Sequence, residues 1–403
     1  VDALLPTAWS YRSSFQTLPQ TPNYLKERPD VIPIDCGRQL FVDDFLIEES
    51  SLHREFYSPE IKGMVLTPET VLEMDHGNCP VAAPFKDGIF YDPTDKKFKL
   101  WYQAGWFDGT AYAESLDGQN WYRPDLDVVP GTNMVLPFRK GYKRDGATVW
   151  IDHETKDPKS RYKLFVFFRK NEVEEIGELY ISSDGIHWNG PTITGPCGDA
   201  SSFFYNPFRK KWVFSIRKVD VEGDFHYRYR QYYETEDFLK GADWGRNDPV
   251  FWYGADDLDK KHAIYDCTTQ LYGVDCVAYE SILLGAFEIF KGPHNRIAEE
   301  LGVPKQCDIT LGYSRDGFHF CRPDRTAFLK GSEKGDMGLW LYSCLWWLMH
   351  CRKGSVAVLL FCVVWGVTQI WKTYVCRWSY WLCYVTERWI CKCCSRKRRI
   401  FKN

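Results

Sequence analysis

Four carboxylates recur at matching places in four similar stretches of the chain. Asp145 and Asp199 lie seven residues before the polar residue that ends their stretch, and Asp87 and Asp275 lie five residues before it. Because side chains alternate between the two faces of a strand, a difference of two residues leaves all four on one face. Crowded carboxylates can divide the roles of acid and base, since like charges raise one pKa. The sequence therefore predicts a cluster of acids capable of general acid–base chemistry.

Each of these acids belongs to a pair of strands that the sequence repeats four times. The first strand ends at a polar corner, and a second strand rich in aromatic and β-branched residues follows at once. The pairs cover residues 85–102, 144–166, 198–216 and 275–287. The corner residue of the fourth pair, Glu280, is a further candidate acid. The corner residues Asp92, Asp152 and Asn206 of the other pairs are predicted to form turns.

A second motif also repeats, in which a β-prone run leads into an Asp-Gly turn followed by an aromatic residue. It occurs at Asp117, Asp184 and Asp316, which are separated by 67 and 132 residues, and a weaker copy surrounds Asp237. Asp-Gly favours tight turns between strands. A period of this length with several strands per unit is typical of a β-propeller. The sequence predicts an all-β fold, a five-bladed β-propeller whose inner strands carry the acids to the central axis.

Composition narrows the partners of such a fold. The net charge of −3 in 403 residues gives no indication of nucleic-acid binding. The aromatic content of 17% suits strands, and it also suits faces that bind sugars. We find no metal-ligand spacing and no glycine-rich phosphate loop in the sequence, which predicts no cofactor and no metal. The chain begins without a leader that would assign a compartment, and a secreted or periplasmic location is compatible with a carbohydrate partner.

The chain divides into three parts by composition. Residues 1–35 are proline-rich and predict an irregular arm. Residues 36–336 contain the repeats and predict the propeller, with Arg38–Ile47 as an N-terminal strand that closes the ring. Residues 337–403 form a tail that holds eight of the 17 tryptophans and eight of the 15 cysteines.

Two interpretations of the tail remain open. The apolar run 354–366 with its basic flank could attach the chain to a membrane, although it is short for a span. Alternatively the tail is a fifth blade translated out of frame. Reading one base later turns every tryptophan codon into a glycine codon, and over residues 374–394 it permits Arg-Asp-Gly-Phe at the site of Arg388. That site lies 72 residues past Asp316, where a fifth repeat is due. We expect no membrane attachment unless the tail is genuine.

These residues together resemble a known family. The opening Leu40-Phe-Val-Asp-Asp-Phe-Leu-Ile47, the Arg144-Asp145-Gly sequence and the Tyr313-Ser-Arg-Asp-Gly-Phe318 hairpin are similar to uncharacterised bacterial proteins related to five-bladed glycosidases. Those glycosidases form the clan of glycoside hydrolase families 32 and 43. The resemblance covers roughly residues 36–336 and implies hydrolysis of poly- or oligosaccharides, including furanosides. In this chain glycine follows Arg144-Asp145 where the clan has proline, and the clan's Asn-Asp-Pro and Glu-Cys boxes are not intact.

The resemblance also implies roles for the acids. In the clan, three acids on the inner strands of successive blades carry out catalysis. In this chain the resemblance implies that Asp87 is the nucleophile or base and that Asp145 orients the site. The acid is then Asp199 or, alternatively, Glu280. Further candidates for substrate binding are Arg144, Trp150 and Asp275. Because the clan's boxes are incomplete, a non-catalytic carbohydrate-binding propeller is the alternative function.

Overall fold

The fold is an all-β propeller, seen here in a computed structural model. The structure describes Asp30, residues 40–56, 60–75, 79–171, 173–222, 225–279, 282–301 and 305–331, and short strands between 339 and 393. Two N-terminal strands, β1 (Arg54–Glu55) and β2 (Glu60–Leu66), precede four antiparallel blades within these residues. The first blade contains β3 (Ala82–Asp92), β4 (Lys97–Ala104), β5 (Gly109–Ser115) and β6 (Met134–Leu136). The second contains β7 (Tyr142–Ile151), β8 (Tyr162–Lys170), β9 (Glu174–Ser182) and β10 (Asn189–Ile193).

The other two blades repeat this meander. The third contains β11 (Ser202–Asn206), β12 (Lys211–Glu222), β13 (Phe225–Thr235) and β14 (Val250–Tyr253). The fourth contains β15 (Gln270–Tyr279), β16 (Ile282–Gly292), β17 (Gln306–Ser314) and β18 (Phe320–Cys321). A short helix, α1 (Asn295–Leu301), connects β16 to β17. The predicted strand pairs thus form the two inner strands of each blade.

Local hydrogen bonds explain why the repeated motifs form turns. In the Asp184 copy the carboxylate accepts from the backbone of Ile186 and His187 at 2.8 Å, and Ser182 accepts from Gly185 at 2.9 Å. The copies at Asp117 and Asp316 have the same network, and all three link the third and fourth strands of a blade. The glycines have φ between 75° and 83°, a conformation that glycine adopts at little cost.

The corner residues form the turns that the sequence predicts. Asp92 and Asp152 each accept a backbone N–H from two residues ahead at 3.0 Å, and Asn206 does so at 3.1 Å. This side-chain bond satisfies a backbone donor where the chain reverses between the first and second strands.

Aromatic side chains pack between neighbouring blades. Trp101 and Tyr162 lie 5.7 Å apart between the first and second blades, and Phe203 and Trp212 belong to the cluster between the second and third. Trp252 and Phe320 lie 5.9 Å apart between the third and fourth. Burial of these large rings is the main favourable term that holds the blades side by side.

The prediction of a closing strand at Arg38–Ile47 is wrong for its described part, because residues 40–47 form bends and turns. Phe45 donates its backbone N–H to Asp43 at 3.1 Å, and Ile47 donates to the backbone oxygen of Asp44 at 3.0 Å. These local bonds compete with an extended conformation. The segment instead packs on the fourth blade, where Val42 is buried and Arg315 donates to Asp43 at 2.6 Å.

Both N-terminal strands, β1 and β2, pair with strands in the C-terminal part of the chain. Later strands are β19 (Leu339–Trp340), β20 (Leu345–Cys351), β21 (Ser355–Leu360), β22 (Val363–Val364), β23 (Tyr380–Tyr384) and β24 (Lys392–Cys393). Pairing is antiparallel between β2 and β23 and between β1 and β24. The rest of the tail and the predicted arm 1–35, apart from Asp30, lie outside the described residues. Among the described residues, the helices are too short or too polar to cross a membrane.

Candidate active site

The inner strands of the first three blades share an irregularity that shapes the site. Six residues before each corner, Lys86, Gly146 and Ala200 have φ of 64°, 102° and 52°. Pairing with the second strand shifts register here in the first two blades. A bulge of this kind interrupts the alternation of side chains between faces.

The four predicted acids therefore do not share one face in the way that their spacing suggested. Asp145 and Asp199 come directly before the positive-φ residue, whereas Asp87 follows it. The residue of the first blade that corresponds to Asp145 is Phe85. Spacing counted along a regular strand missed this difference, because the bulge depends on backbone conformation.

Asp145 and Asp199 are brought together across two blades by one arginine. Arg169 Nε donates to Asp145 Oδ2 at 2.7 Å, and Arg169 Nη2 donates to Asp199 Oδ2 at 2.6 Å. Arg217 forms an ion pair with the same Asp199 and donates to its backbone oxygen at 3.1 Å. The Arg169 side chain is 36% exposed and that of Asp199 13%, so this group opens to solvent at the start of the inner strands.

Asp87 lies in a closed network beneath that group. Its side chain is fully buried and forms an ion pair with Arg144, and its Oδ1 accepts the backbone N–H of Phe85 at 2.9 Å. The Arg144 guanidinium also donates to Thr110 and Gln103, each at 2.9 Å. In this packing the Asp87 carboxylate is enclosed and paired with Arg144, so its role as nucleophile or base stays a prediction. Arg144, predicted to bind substrate, makes its contacts here with Asp87, Thr110 and Gln103.

Asp275 belongs to a second buried ion cluster. Lys86 Nζ donates to Asp275 Oδ2 at 2.8 Å and to Glu288 Oε1 at 3.0 Å, and Ser202 Oγ donates to Asp275 Oδ1 at 2.7 Å. Lys86 is 0% exposed and Asp275 3%. The cluster connects the first, third and fourth blades. Both Asp275 oxygens are engaged within it, and substrate binding by Asp275 stays a prediction.

The two remaining candidates are elsewhere. Trp150 packs edge to face against Phe90 at 5.7 Å and Trp212 at 6.4 Å between ring centroids. It lies five residues along β7 from Asp145, roughly 16 Å away at the rise of a strand. Trp150 therefore packs as a core residue between blades, and its predicted role in substrate binding gains no support. Glu280 lies outside the described residues.

Burial shifts the pKa of two of the acids. Burial raises the pKa of Asp87 to about 6, against the opposing charge of Arg144. Burial, and then the charge of Asp199, raise the pKa of Asp145 to about 6, against the opposing charge of Arg169. Asp145 can therefore hold a proton in mildly acidic solution while it lies beside a second carboxylate.

Sequence reasoning missed Arg169, Arg217 and Tyr272. Burial, and then the charges of Asp199 and Asp145, raise the pKa of the Tyr272 hydroxyl. Arg228 lies 6.0 Å from the Tyr272 ring. Arg169 and Arg217 lie on second strands, Arg228 lies on a third strand, and Tyr272 lies at a register shift in β15. Their spacing from the acids along the chain therefore does not indicate that they belong to the site. In the described part of the chain, His, Cys, Asp and Glu form no group of three suited to a metal ion.

Comparison with known proteins identifies the fold. No protein-family model and no curated protein matches the chain. Among solved structures, the chain is similar to an N-acetylgalactosamine deacetylase from F. plautii in complex with blood group B trisaccharide (13% identity, TM-score 0.57, 85% of this chain and 97% of that one). It is also similar to a thermostable family-43 glycoside hydrolase (11% identity, TM-score 0.52, 86% and 98%). A third is a glycoside hydrolase (13% identity, TM-score 0.51, 81% and 92%). The expected resemblance to β-propeller glycosidases is confirmed at the level of the fold.

Proposed function

We propose that this propeller hydrolyses glycosidic bonds in oligo- or polysaccharides, furanosides among them, with Asp145 and Asp199 as the reacting carboxylates. The supporting observation is the Asp145–Arg169–Asp199 group, in which two acids from neighbouring blades meet at one partly exposed guanidinium. Glycoside hydrolysis requires one protonated carboxylic acid and one carboxylate beside the scissile bond. Two of the three similar structures described above are glycoside hydrolases, which is consistent with this chemistry.

The environments of the two acids suggest separate roles. Asp145, with its pKa raised to about 6, is the general acid and gives its proton to the glycosidic oxygen as the C–O bond breaks. Asp199 contacts two guanidinium groups and is the carboxylate that attacks the anomeric carbon or takes a proton from the attacking water. This assignment replaces the sequence-based one, in which Asp145 oriented the site and Asp199 donated the proton.

Asp87 acts through Arg144 as a positioning residue. Arg144 directly precedes Asp145 in β7, so its ion pair with Asp87 and its bonds to Thr110 and Gln103 fix the backbone that carries the acid. The buried cluster of Lys86, Asp275 and Glu288, with Ser202, joins the first, third and fourth blades. Substrate then approaches from the side of Arg169, the most exposed member of the group.

Asp145→Asn tests the proposal, because asparagine keeps the shape of the side chain and cannot donate an acidic proton. We expect release of reducing sugar from arabino-, fructo- and xylo-oligosaccharides to fall at least about 100-fold. Asp243→Asn, at an exposed carboxylate outside the group, should leave the rate unchanged. Circular dichroism and the melting temperature of both variants control for folding. Turnover of Asp145→Asn at the wild-type rate would show that the assignment is wrong.

A non-catalytic carbohydrate-binding propeller is the second candidate. The observation that favours it is that Asp87, Asp145, Asp199 and Asp275 are all engaged in ion pairs. It predicts retention of the same oligosaccharides without any product. Because one similar structure is a deacetylase, acetate release from N-acetylgalactosaminides is measured in parallel.

A further inference from the structure

The hairpin of β12 and β13 extends well beyond the level of the two acids. The strands pair continuously from Trp212 opposite Thr235 to Glu222 opposite Phe225. Arg217, which contacts Asp199, lies in the middle of β12, and the paired residues 218–222 continue past it. At the rise of a strand, this places the end of β12 roughly 17 Å beyond Arg217. The hairpin therefore forms a wall at one side of the site.

One face of this wall is directed toward the second blade. Tyr233 packs on Trp244 at 5.0 Å, in a cluster that includes Phe165 and Leu179 of the second blade. Because side chains alternate along β13, Tyr227 and Tyr229 lie on the same face as Tyr233. This face borders the junction of the second and third blades, where Asp145 and Asp199 meet.

Three aromatic rings form a continuous strip on this face. Tyr227 and Tyr229 are stacked with centroids 6.2 Å apart and planes at 25°, and Tyr229 lies 5.5 Å from Phe251. Phe251 is 53% exposed, which is unusual for a phenylalanine inside a strand. Hydrogen bonds orient the tyrosines, since Tyr227 donates to the backbone oxygen of Ala255 at 2.9 Å and Tyr229 donates to Asp220 at 3.3 Å.

We propose that Tyr229 and Phe251 form a platform on which sugar rings of a glycan stack as it extends from the acids. Flat apolar rings with polar neighbours match a sugar, which presents an apolar C–H face and hydroxyl groups at its edge. Lys218 and Asp220 lie on the same face of the hairpin as Tyr229. Because their charges have opposite signs, this face has no net charge from them and suits an uncharged glycan. The rings are already oriented, so binding loses little conformational freedom. The occupant is an uncharged oligosaccharide longer than a disaccharide, and this inference rests on the proposed function.

The experiment compares the binding of immobilised arabino-, fructo- and xylo-oligosaccharides of two to eight units to the full chain and its variants. In Phe251→Ala and Tyr229→Ala, we expect affinity for the longer members of a bound series to fall about tenfold, and affinity for the disaccharide to stay unchanged. Tyr122→Ala is the matched control, because Tyr122 is 63% exposed and lies beside Glu114 at the opposite end of the first blade. It should bind every length as the wild type does.

Three results would overturn the platform. They are unchanged binding in both variants, an equal loss at all lengths, and a wild-type chain that retains none of the three series. A different result would show that the proposed hydrolysis is wrong. In that case binding would still increase with glycan length and depend on Phe251, but no product would be released.

Discussion

At the scale of single residues, Gly146 is the position where the sequence around Asp145 differs from the Arg-Asp-Pro motif that it resembles. Glycine follows Arg144-Asp145 where the glycosidase clan that the sequence resembles has proline. Gly146 has a φ of 102°, whereas the proline ring fixes φ near −65°. The difference is therefore one of backbone conformation, and Asp145 is presented to Asp199 by a turn of the chain that proline could not form.

The pKa of Asp145 gives the proposed activity a defined pH dependence. Asp145 must be protonated to act as the acid, so kcat/KM should fall as the pH rises through about 6. Measurements from pH 4 to pH 8 test this, with Asp243→Asn expected to follow the wild-type profile. A profile that is flat or rises from pH 5 to pH 8 would contradict the role of Asp145.

The same shifts affect stability with a definite sign. The folded protein holds protons on Asp87 and Asp145 up to about pH 6, whereas an ordinary aspartic acid releases its proton near 3.8. The native state therefore binds more protons than the unfolded chain between these values, and stability falls as the pH rises from about 4 to about 6.

At the scale of elements, the bulge in the inner strands determines which side chains meet. A residue with positive φ occurs at the same position in three blades, with a register shift in the first two, yet it is glycine only in the second blade. Lys86 and Ala200 adopt a left-handed conformation that costs a non-glycine residue roughly 1–2 kcal/mol. Strain of this kind persists where surrounding contacts hold it, as the ion pairs of Lys86 do.

Exchange of the residues at the bulge tests this explanation. Gly146→Ala should lower the free energy of unfolding by about 1 kcal/mol, and a Cβ there would meet no atom closer than 3.5 Å, so the cost is conformational. Ala200→Gly is the reverse change and should leave stability unchanged or raise it. Denaturant unfolding measures both variants. A Gly146→Ala protein as stable as the wild type would contradict the argument.

At the scale of the whole molecule, the ring has an N-terminal strand that pairs outside the four blades. Pairing of β2 with β23 joins the start of the propeller to the C-terminal part of the chain, as ring closure requires. We propose that residues 337–403 take the place of a fifth blade whose coding sequence is read out of frame. The concentration of tryptophan and cysteine in this segment supports the proposal.

Sequencing the DNA across codons 330–403 tests this proposal. We expect one base to be missing or extra near codon 337. A chain with the restored frame should be monomeric and melt at a higher temperature than the present one, because a complete ring covers the face of each blade with a neighbour and leaves only short, protected strand edges. An intact frame would contradict the proposal and would establish the tail as a genuine part of the protein.

Short-range patterns allowed much of the fold to be predicted. The turns at Asp117, Asp184 and Asp316 form from atoms within three residues of each aspartate, so every determinant is adjacent in sequence. The same is true of the polar corners. Repetition of these local units then indicates blades, because a four-stranded meander cannot bury both faces alone.

The composition of the site was decided by the tertiary structure. Lys86 contacts Asp275 and Glu288 across 189 and 202 residues, and Arg144 contacts Asp87 across 57. Closure of the ring brings these groups together, and burial decides which charges face one another and which face solvent. The sequence by itself determined where acids lie along the inner strands. Only the packed ring determined that Asp145 and Asp199 meet at Arg169 while Asp87 and Asp275 are enclosed, because bulges and inter-blade contacts carry no signature in local spacing.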